Sequence, residues 1–366
     1  MSKPDTIKKE PLIHISKRDA ISWQKSMLIR AIAIVCALLF TAVVITILAK
    51  QNPFQIYASM FSGAFGTPRR IWNLLNGTCI LLGIALAVTP AFRMKFWNCG
   101  AEGQTLMGAL AAAACMYLFG GKMPLPLFFV VMTLVCIVVG AIWGLIPAIF
   151  KAFFNTNETL FTLMMNYIAM QLISYFLLIW GKDGSGTLPT MPAFRFPKIG
   201  GNEFLLAIIA VLIVCGLMYV YLRYSKQGYE ISVVGESENT AKYIGINVKK
   251  VIIRTMIISG ALCGFVGLLL VANGSCTVST DIVGGQGFTA IMVSWLAKFN
   301  PLYMILTSFL IIFLQRGSSQ ISTDFRLDSS VGDIVTGIIL LFIIGCEFFI
   351  HYKVHFRKKA KEEDDA

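Results

Sequence analysis

Residues 96–113 read Phe96-Trp97-Asn98-Cys99-Gly100-Ala101-Glu102-Gly103-Gln104-Thr105-Leu106-Met107-Gly108-Ala109-Leu110-Ala111-Ala112-Ala113. A carboxylate, Glu102, stands between glycines at the mouth of a long apolar run. An ionisable side chain is costly in a bilayer, so one held there marks a functional site by default. The flanking glycines let backbones approach closely or leave the helix, as the interrupted helices of transport pathways do. The plainer alternative is a carboxylate at a wet interface that caps the following helix, where the helix dipole favours it.

Runs of this kind fill the chain. Of 366 residues, 57% are hydrophobic and only 14% charged, whereas a soluble domain is about half apolar and a quarter charged. Residues 1–30 are polar and basic, with no small-residue cleavage site after the first apolar run, so no secretory signal peptide is expected. That run, Ala31 to Ala49, is long enough to remain in the bilayer. Apolar runs of about 17–25 residues predict ten spans, at 31–49, 71–92, 97–119, 125–150, 159–181, 203–222, 251–273, 287–298, 302–316 and 331–350. The eighth and ninth are short for a hydrocarbon core of ~30 Å, and read as two short or tilted spans or as one re-entrant hairpin. Lys298-Phe299-Asn300-Pro301 breaks them, because proline restricts the residue before it and ends helices. Residues 52–66, with Phe54, Tyr57, Met60 and Phe61, read as an amphipathic interfacial segment.

With the amino terminus inside, 22 of the 31 lysines and arginines fall on the inner side. The positive-inside rule therefore predicts both termini in the cytoplasm. That needs an even number of spans, which ten satisfies and eight would also satisfy. The net charge of +12 is then mainly a topology signal, and no nucleic-acid-binding motif accompanies it. The nine cysteines show no Cys-x-x-Cys spacing, so neither a metal site nor a disulfide framework is expected. In apolar segments they serve as small hydrophobes. His351 and His355 share helical spacing, but in a basic tail they read as a solvated face.

The longest inner loop runs from Arg223 to Arg254. Tyr229 to Val234 reads as a short strand. Gly235, Ser237 and Asn239 then offer helix-start chemistry, Glu238 to Tyr243 forms about two turns, and Gly245 stops them as a C′ residue. So short a helix needs a surface to dock on, in its own chain or in another.

These segments together resemble a family. Asn98-Cys-Gly-Ala-Glu-Gly-Gln104 is similar to the Asn-Ile-Gly-Ala-Glu-Gly-Gln segment of bacterial ABC-importer permeases of the ribose/branched-chain amino acid/nucleoside class. Asn157-Glu-Thr-Leu-Phe-Thr-Leu-Met-Met-Asn-Tyr-Ile-Ala169 resembles their Asn-Glu-Val-Ile-Ser-Thr-Ile-Met-Leu-Asn-Tyr-Ile-Ala. Val234 to Val248 resembles their cytoplasmic coupling segment. Ser259-Gly-Ala-Leu-Cys-Gly264 and Gly284-Gly-Gln-Gly-Phe-Thr-Ala-Ile291 follow in the expected order. The resemblance spans about residues 30–350 and is nearest the nucleoside/simple-sugar branch. Cys99 and Thr159-Leu-Phe161 depart from its pattern without removing a polar side chain that the reading uses.

The resemblance implies an all-α polytopic helix bundle of the type II-like ABC importer permease kind. It has a basic cytoplasmic segment 1–30, a transmembrane domain 31–350 carrying the coupling loop 223–254, and a charged cytoplasmic tail 351–366. It implies a permease subunit in a bacterial cell membrane with three kinds of partner: a cytoplasmic ABC ATPase, a second permease that is a paralogue, and an extracytoplasmic binding protein, with membrane lipid around them. ATP and Mg would be bound by the ATPase and no cofactor by this chain. This agrees with the absence of a Gly-x-x-x-x-Gly-Lys-Ser/Thr phosphate loop. No nucleophile–base–orienter set is visible, so no catalysis is expected.

Nucleosides and sugars call for uncharged polar partners. Asn98, Gln104, Asn166, Gln171 and Ser174, together with Glu102, are the expected path residues, and Asn73 and Asn76 are further polar candidates. Thr162 and Asn166 share one face of the fifth span, while Tyr167, Gln171 and Ser174 share another. Such groups serve equally as glue between spans. On the coupling helix, Ala241, Tyr243 and Ile244 are expected to pack on the ATPase, with Glu236, Glu238 and Lys242 as a polar rim and Gly245 closing the coupling segment. Glu158, in the first turn of the fifth span, reads as structural. The alternative function is an ion-coupled secondary transporter of a small polar solute, with Glu102, Asp333 and Glu347 as its few carboxylate candidates.

Overall fold

The computed structural model describes residues 13–17, 22–49, 52–181, 187–191 and 194–356. Much of the basic segment 1–30 and of the tail 351–366 lies outside them. Helices dominate: α1 (Trp23–Ala49), α2 (Pro53–Phe65), α3 (Pro68–Arg93), α4 (Ala101–Phe119), α5 (Leu125–Phe154), α6 (Glu158–Trp180), α7 (Leu205–Tyr224), α8 (Lys226–Glu236), α9 (Glu238–Tyr243), α10 (Val248–Leu270), α11 (Gln286–Leu296), α12 (Pro301–Asp324) and α13 (Ser329–His351). Among the described residues, seven helices are long and apolar enough to cross a membrane: α3, α5, α6, α7, α10, α12 and α13. In α1 the apolar stretch is the shorter Ala31–Ile47.

The chain divides into two compact units, residues 64–313 and the two terminal portions 1–63 and 314–366, so that the division falls within α12. In the larger unit α3, α4 and α10 form the centre. α4 is buried along most of its length, and α3 from Gly77 to Phe92. Small residues set these contacts. Gly140 and Gly144 of α5 cross Gly260 and Gly264 of α10, where an added Cβ would strike the opposite backbone. Gly264 also meets Gly108 of α4. Apolar helices gain nothing from hydrophobicity against apolar lipid, so close backbone approach at small residues holds them together. Cys79, Cys115, Cys136 and Cys263 are buried and free within this packing.

In the smaller unit α1 packs along α13, with the Phe40 and Phe342 rings 5.8 Å apart. β1 (Ile13–Lys17) and β2 (Tyr352–Phe356) form an antiparallel pair running from Ile13 opposite Phe356 to Lys17 opposite Tyr352. An all-α reading did not foresee this pair. Its consequence is topological, for the two terminal segments lie side by side.

Several expected elements are revised. Residues 229–234 are helical, within α8, and not a strand. Gly228, Ile231, Val234 and Gly235 recur at helical spacing on one buried face, and Ser225 caps the start by accepting from the Gly228 N–H at 2.9 Å. The third span starts as a helix only at Ala101. Residues 94–100 before it are irregular, with Lys95 in the left-handed region at φ 61°. The eighth span is the half-length α11, 11 residues and about 16 Å. The ninth is longer than expected, 24 residues, so Arg316 lies inside α12. The break at 298–301 is where the sequence put it, with Lys298 and Phe299 both left-handed. Segment 52–66 forms α2, with Ile56, Met60 and Ala64 buried and Phe54 and Phe61 exposed.

α10 ends in a π-helical turn, Val271–Ser275. A π turn leaves carbonyls without their usual partners. The segment after α6 supplies donors: Phe196 N–H to the Ala272 carbonyl and Met191 N–H to the Cys276 carbonyl, both at 3.0 Å. Arg195 bridges Glu203 and the Gly274 carbonyl, each at 2.7 Å.

Candidate functional site

Irregular backbone inside a membrane protein survives only where protein groups satisfy it. Residues 94–100 meet that condition through side chains of α6 and through Asn98 of the segment itself, which α4 and α10 hold in place. The Thr162 Oγ1 accepts from the Cys99 N–H at 3.2 Å. Asn166 accepts from the Gly103 N–H at 2.8 Å and donates to the Cys99 carbonyl at 2.9 Å. Asn98 is fully buried. It accepts from the Gly100 N–H at 3.1 Å, donates to Ser259 of α10 at 3.1 Å, and exchanges hydrogen bonds with the Gln104 amide at 3.4 and 3.3 Å.

Glu102 is 3% exposed, in the first turn of α4. Its two carboxylate oxygens accept from the Gly285 N–H at 2.9 Å and the Gly287 N–H at 2.7 Å. α11 begins at Gln286 with no side-chain cap of its own. Its first N–H groups would be unpaired donors, and a carboxylate is the acceptor that two converging helix N-termini call for. At Gly287 the backbones touch, and an added Cβ would lie 2.5 Å from the Glu102 nitrogen. Glu102 therefore latches two interrupted helices, α4 and α11, at their starts.

Of the expected path residues, the structure gathers Asn98, Glu102, Gln104 and Asn166 into this junction. Gln171 and Ser174 lie elsewhere. The Thr162 and Asn166 face of α6 packs on α4, while Tyr167 and Gln171 are exposed on the other face. Ser174 bonds within its own helix to the Met170 carbonyl at 3.1 Å. Glu158 pairs with Lys151 at 2.8 Å, beside the Asn157 cap of α6, which suits the structural role. Sequence reasoning missed Ser259, Gly285 and Gly287 as members of the junction. A glycine-rich stretch opening a short helix was the available signal.

The loop after α7 folds back on its own chain. Ile231, Val234 and Ala241 join Ala91, Phe96, Ala148 and Met256 in one buried cluster. Gly235 lies so close to the Arg93 carbonyl that no Cβ fits. Ser237 caps α9 by accepting from the Thr240 N–H at 3.2 Å, and Gly245 is left-handed at φ 85°. Ala241 points inward and is fully buried, which corrects its expected place on an outer docking face. Tyr243 is 92% exposed, and Ile244, Gly245, Glu236, Glu238 and Lys242 are exposed with it.

Residues 70–344 match the family described as "Branched-chain amino acid transport system / permease component". The guanosine ABC transporter permease protein of Bacillus subtilis is 29% identical over 87% of this chain and 92% of its own. The glucose ABC transporter permease protein of Haloferax volcanii is 26% identical over 83% of each. The nucleoside ABC transporter permease protein of Lactococcus lactis subsp. cremoris is 27% identical over 93% of this chain and 96% of its own. No solved structure matches. The chain belongs to this ABC-transporter permease family: it is a multi-pass membrane transport subunit and not an enzyme.

Proposed function

We propose that this chain forms part of the translocation path of an ATP-driven importer of nucleosides or simple sugars. The observation that carries this reading is likeness to nucleoside and sugar permeases along nearly the whole chain. Membership of the permease family displaces the ion-coupled alternative, and Glu102 has both oxygens engaged by backbone N–H groups.

The proposed partners are those of an ABC system, and the exposed surfaces support where each would dock. An ABC ATPase, binding ATP and Mg, docks against the exposed Tyr243 and Ile244 with Glu236, Glu238 and Lys242 around them. The buried cluster beneath α9 carries its motion to the ends of α3, α5 and α10. A second permease, a paralogue, closes the path across the open Tyr167 and Gln171 face of α6, and an extracytoplasmic binding protein delivers the substrate. Both termini lie in the cytoplasm of a bacterial cell. Ten crossings of the type II-like kind fit, with residues 276–296 as the eighth, a run of turns and bends followed by α11. The pairing of β1 with β2 supports an even number.

The test is uptake by the reconstituted complex across labelled nucleosides, pentoses and hexoses. ATP-dependent, saturable uptake of a nucleoside or sugar is expected. ATP-dependent uptake confined to amino acids would overturn the substrate class and leave the permease assignment intact.

A further inference from the structure

Three chain segments meet around a cavity of about 380 Å³ in the larger unit: the end of α3 with Arg93, the last turns of α7 with Tyr219 and Arg223, and the α11–α12 turn with Lys298, Asn300 and Pro301. Arg93, Arg223 and Lys298 line it, and no carboxylate is among the described residues that do. Arg93 uses one of its five donors on the Leu222 carbonyl, at 3.2 Å, which fixes the guanidinium at the wall. Arg223 lies over the Tyr219 ring, 5.9 Å from its centre, an arrangement that orients a cation without neutralising it. Asn300 caps α12 by accepting from the Leu302 N–H at 3.1 Å.

The depth of the cavity identifies its environment. Cys215 donates to the Pro301 carbonyl at 3.5 Å. It lies nine residues before the last residue of α7, so α12 starts about 13 Å inside the end of α7. The two helices beside the cavity expose apolar side chains along their lengths, Leu217 and Val220 on α7 and Leu302 and Leu306 on α12, the last 70% exposed. A cationic pocket at a helix end, bordered by exposed apolar surface, has the chemistry of a phosphate headgroup site. Tyrosines at that level are interfacial anchors.

We infer that this cavity binds the phosphodiester headgroup of an anionic phospholipid, whose acyl chains lie along α7 and α12. The inference rests on the membrane placement of the chain and not on its substrate, so failed uptake of nucleosides leaves it standing. The test is native mass spectrometry of the full chain, purified with the subunits that accompany it and titrated with phosphatidylglycerol or phosphatidylcholine. The wild type is expected to retain phosphatidylglycerol at roughly tenfold lower lipid concentration. The double variant Arg223→Gln, Lys298→Gln is expected to lose that preference with phosphatidylcholine binding unchanged, and the charge-keeping Arg223→Lys, Lys298→Arg to retain it. Equal binding of both lipids by the wild type, or an undiminished preference in the glutamine variant, would overturn the proposal. So would displacement of phosphatidylglycerol by millimolar inorganic phosphate, which would make the cavity a site for free anions. Loss of the ATPase from the glutamine variant with lipid preference intact would assign the cavity to that interface instead.

Discussion

At the scale of single residues, the junction turns on Glu102. Each of its oxygens satisfies a backbone donor that no other side chain among the described residues reaches, and an orphaned buried donor costs about 1–3 kcal/mol. Glu102→Ala is therefore expected to lower the thermal unfolding midpoint of the purified protein more than Glu102→Gln, since the amide keeps one acceptor oxygen. Equal midpoints for wild type and Glu102→Ala would remove the latch. The same geometry separates two residues that the sequence placed together. A cysteine at 102 is expected to stay unlabelled by an aqueous thiol reagent, and one at 171 to react. Reaction at 102 would place it on a water-filled path after all. The sequence made Glu102 conspicuous because a carboxylate in an apolar run demands a partner. It could not name that partner, which is backbone lying 183 and 185 residues away, and an N–H group carries no side-chain identity. Asn166 was legible as polar and as sharing a face with Thr162. Its bonds to Cys99 and Gly103 depend on how α6 meets α4.

At the scale of elements, what was legible depended on local signals. α9 was readable because Ser237 and Gly245 mark its start and stop. α8 was not, because Ile231, Val233 and Val234 in so short a window suit a strand as well as a helix. Docking onto the cluster with Ala91 and Met256 decided it. The sense of each α9 side chain likewise needed that surface. Ala241→Glu is expected to dislodge α8 and α9 by burying a carboxylate where nothing pairs with it. Tyr243→Ala, at a 92% exposed position, is expected to leave the fold intact and weaken the ATPase contact. The paired measurement is limited proteolysis of the loop with co-purification of the ATPase. Cleavage should rise for Ala241→Glu alone, whereas Tyr243→Ala should lose ATPase at wild-type protease resistance. Wild-type ATPase recovery and substrate-stimulated hydrolysis in Tyr243→Ala would leave α8 and α9 a purely structural role.

At the scale of the whole molecule, the decisive question is how the chain passes from α10 to α12. Two readings of residues 287–316 were open from sequence, because apolar length alone cannot separate a short span from a re-entrant turn. α11, at 11 residues, is half a crossing by length. α12 is long and apolar enough to cross a membrane, so a single hairpin over all of 287–316, with eight crossings, gives way to a narrower alternative: 276–300 enters and leaves on one side, α12 and α13 each run opposite to the ten-crossing arrangement, and the chain end emerges across the membrane from its beginning. The antiparallel pairing of Ile13–Lys17 with Tyr352–Phe356 requires both on one side. In the proposed ten-crossing reading the turns of residues 276–285 and α11 together make the eighth crossing, and Glu102 satisfies the N–H groups at the start of α11. Single cysteines test this. Lys298→Cys is expected to react only with reagent supplied to the inner face, together with Lys226→Cys, while Lys122→Cys reacts only from the outer face. Outer labelling of Lys298→Cys would make 276–300 re-entrant and the crossing number odd, a result the terminal strand pair could not accommodate.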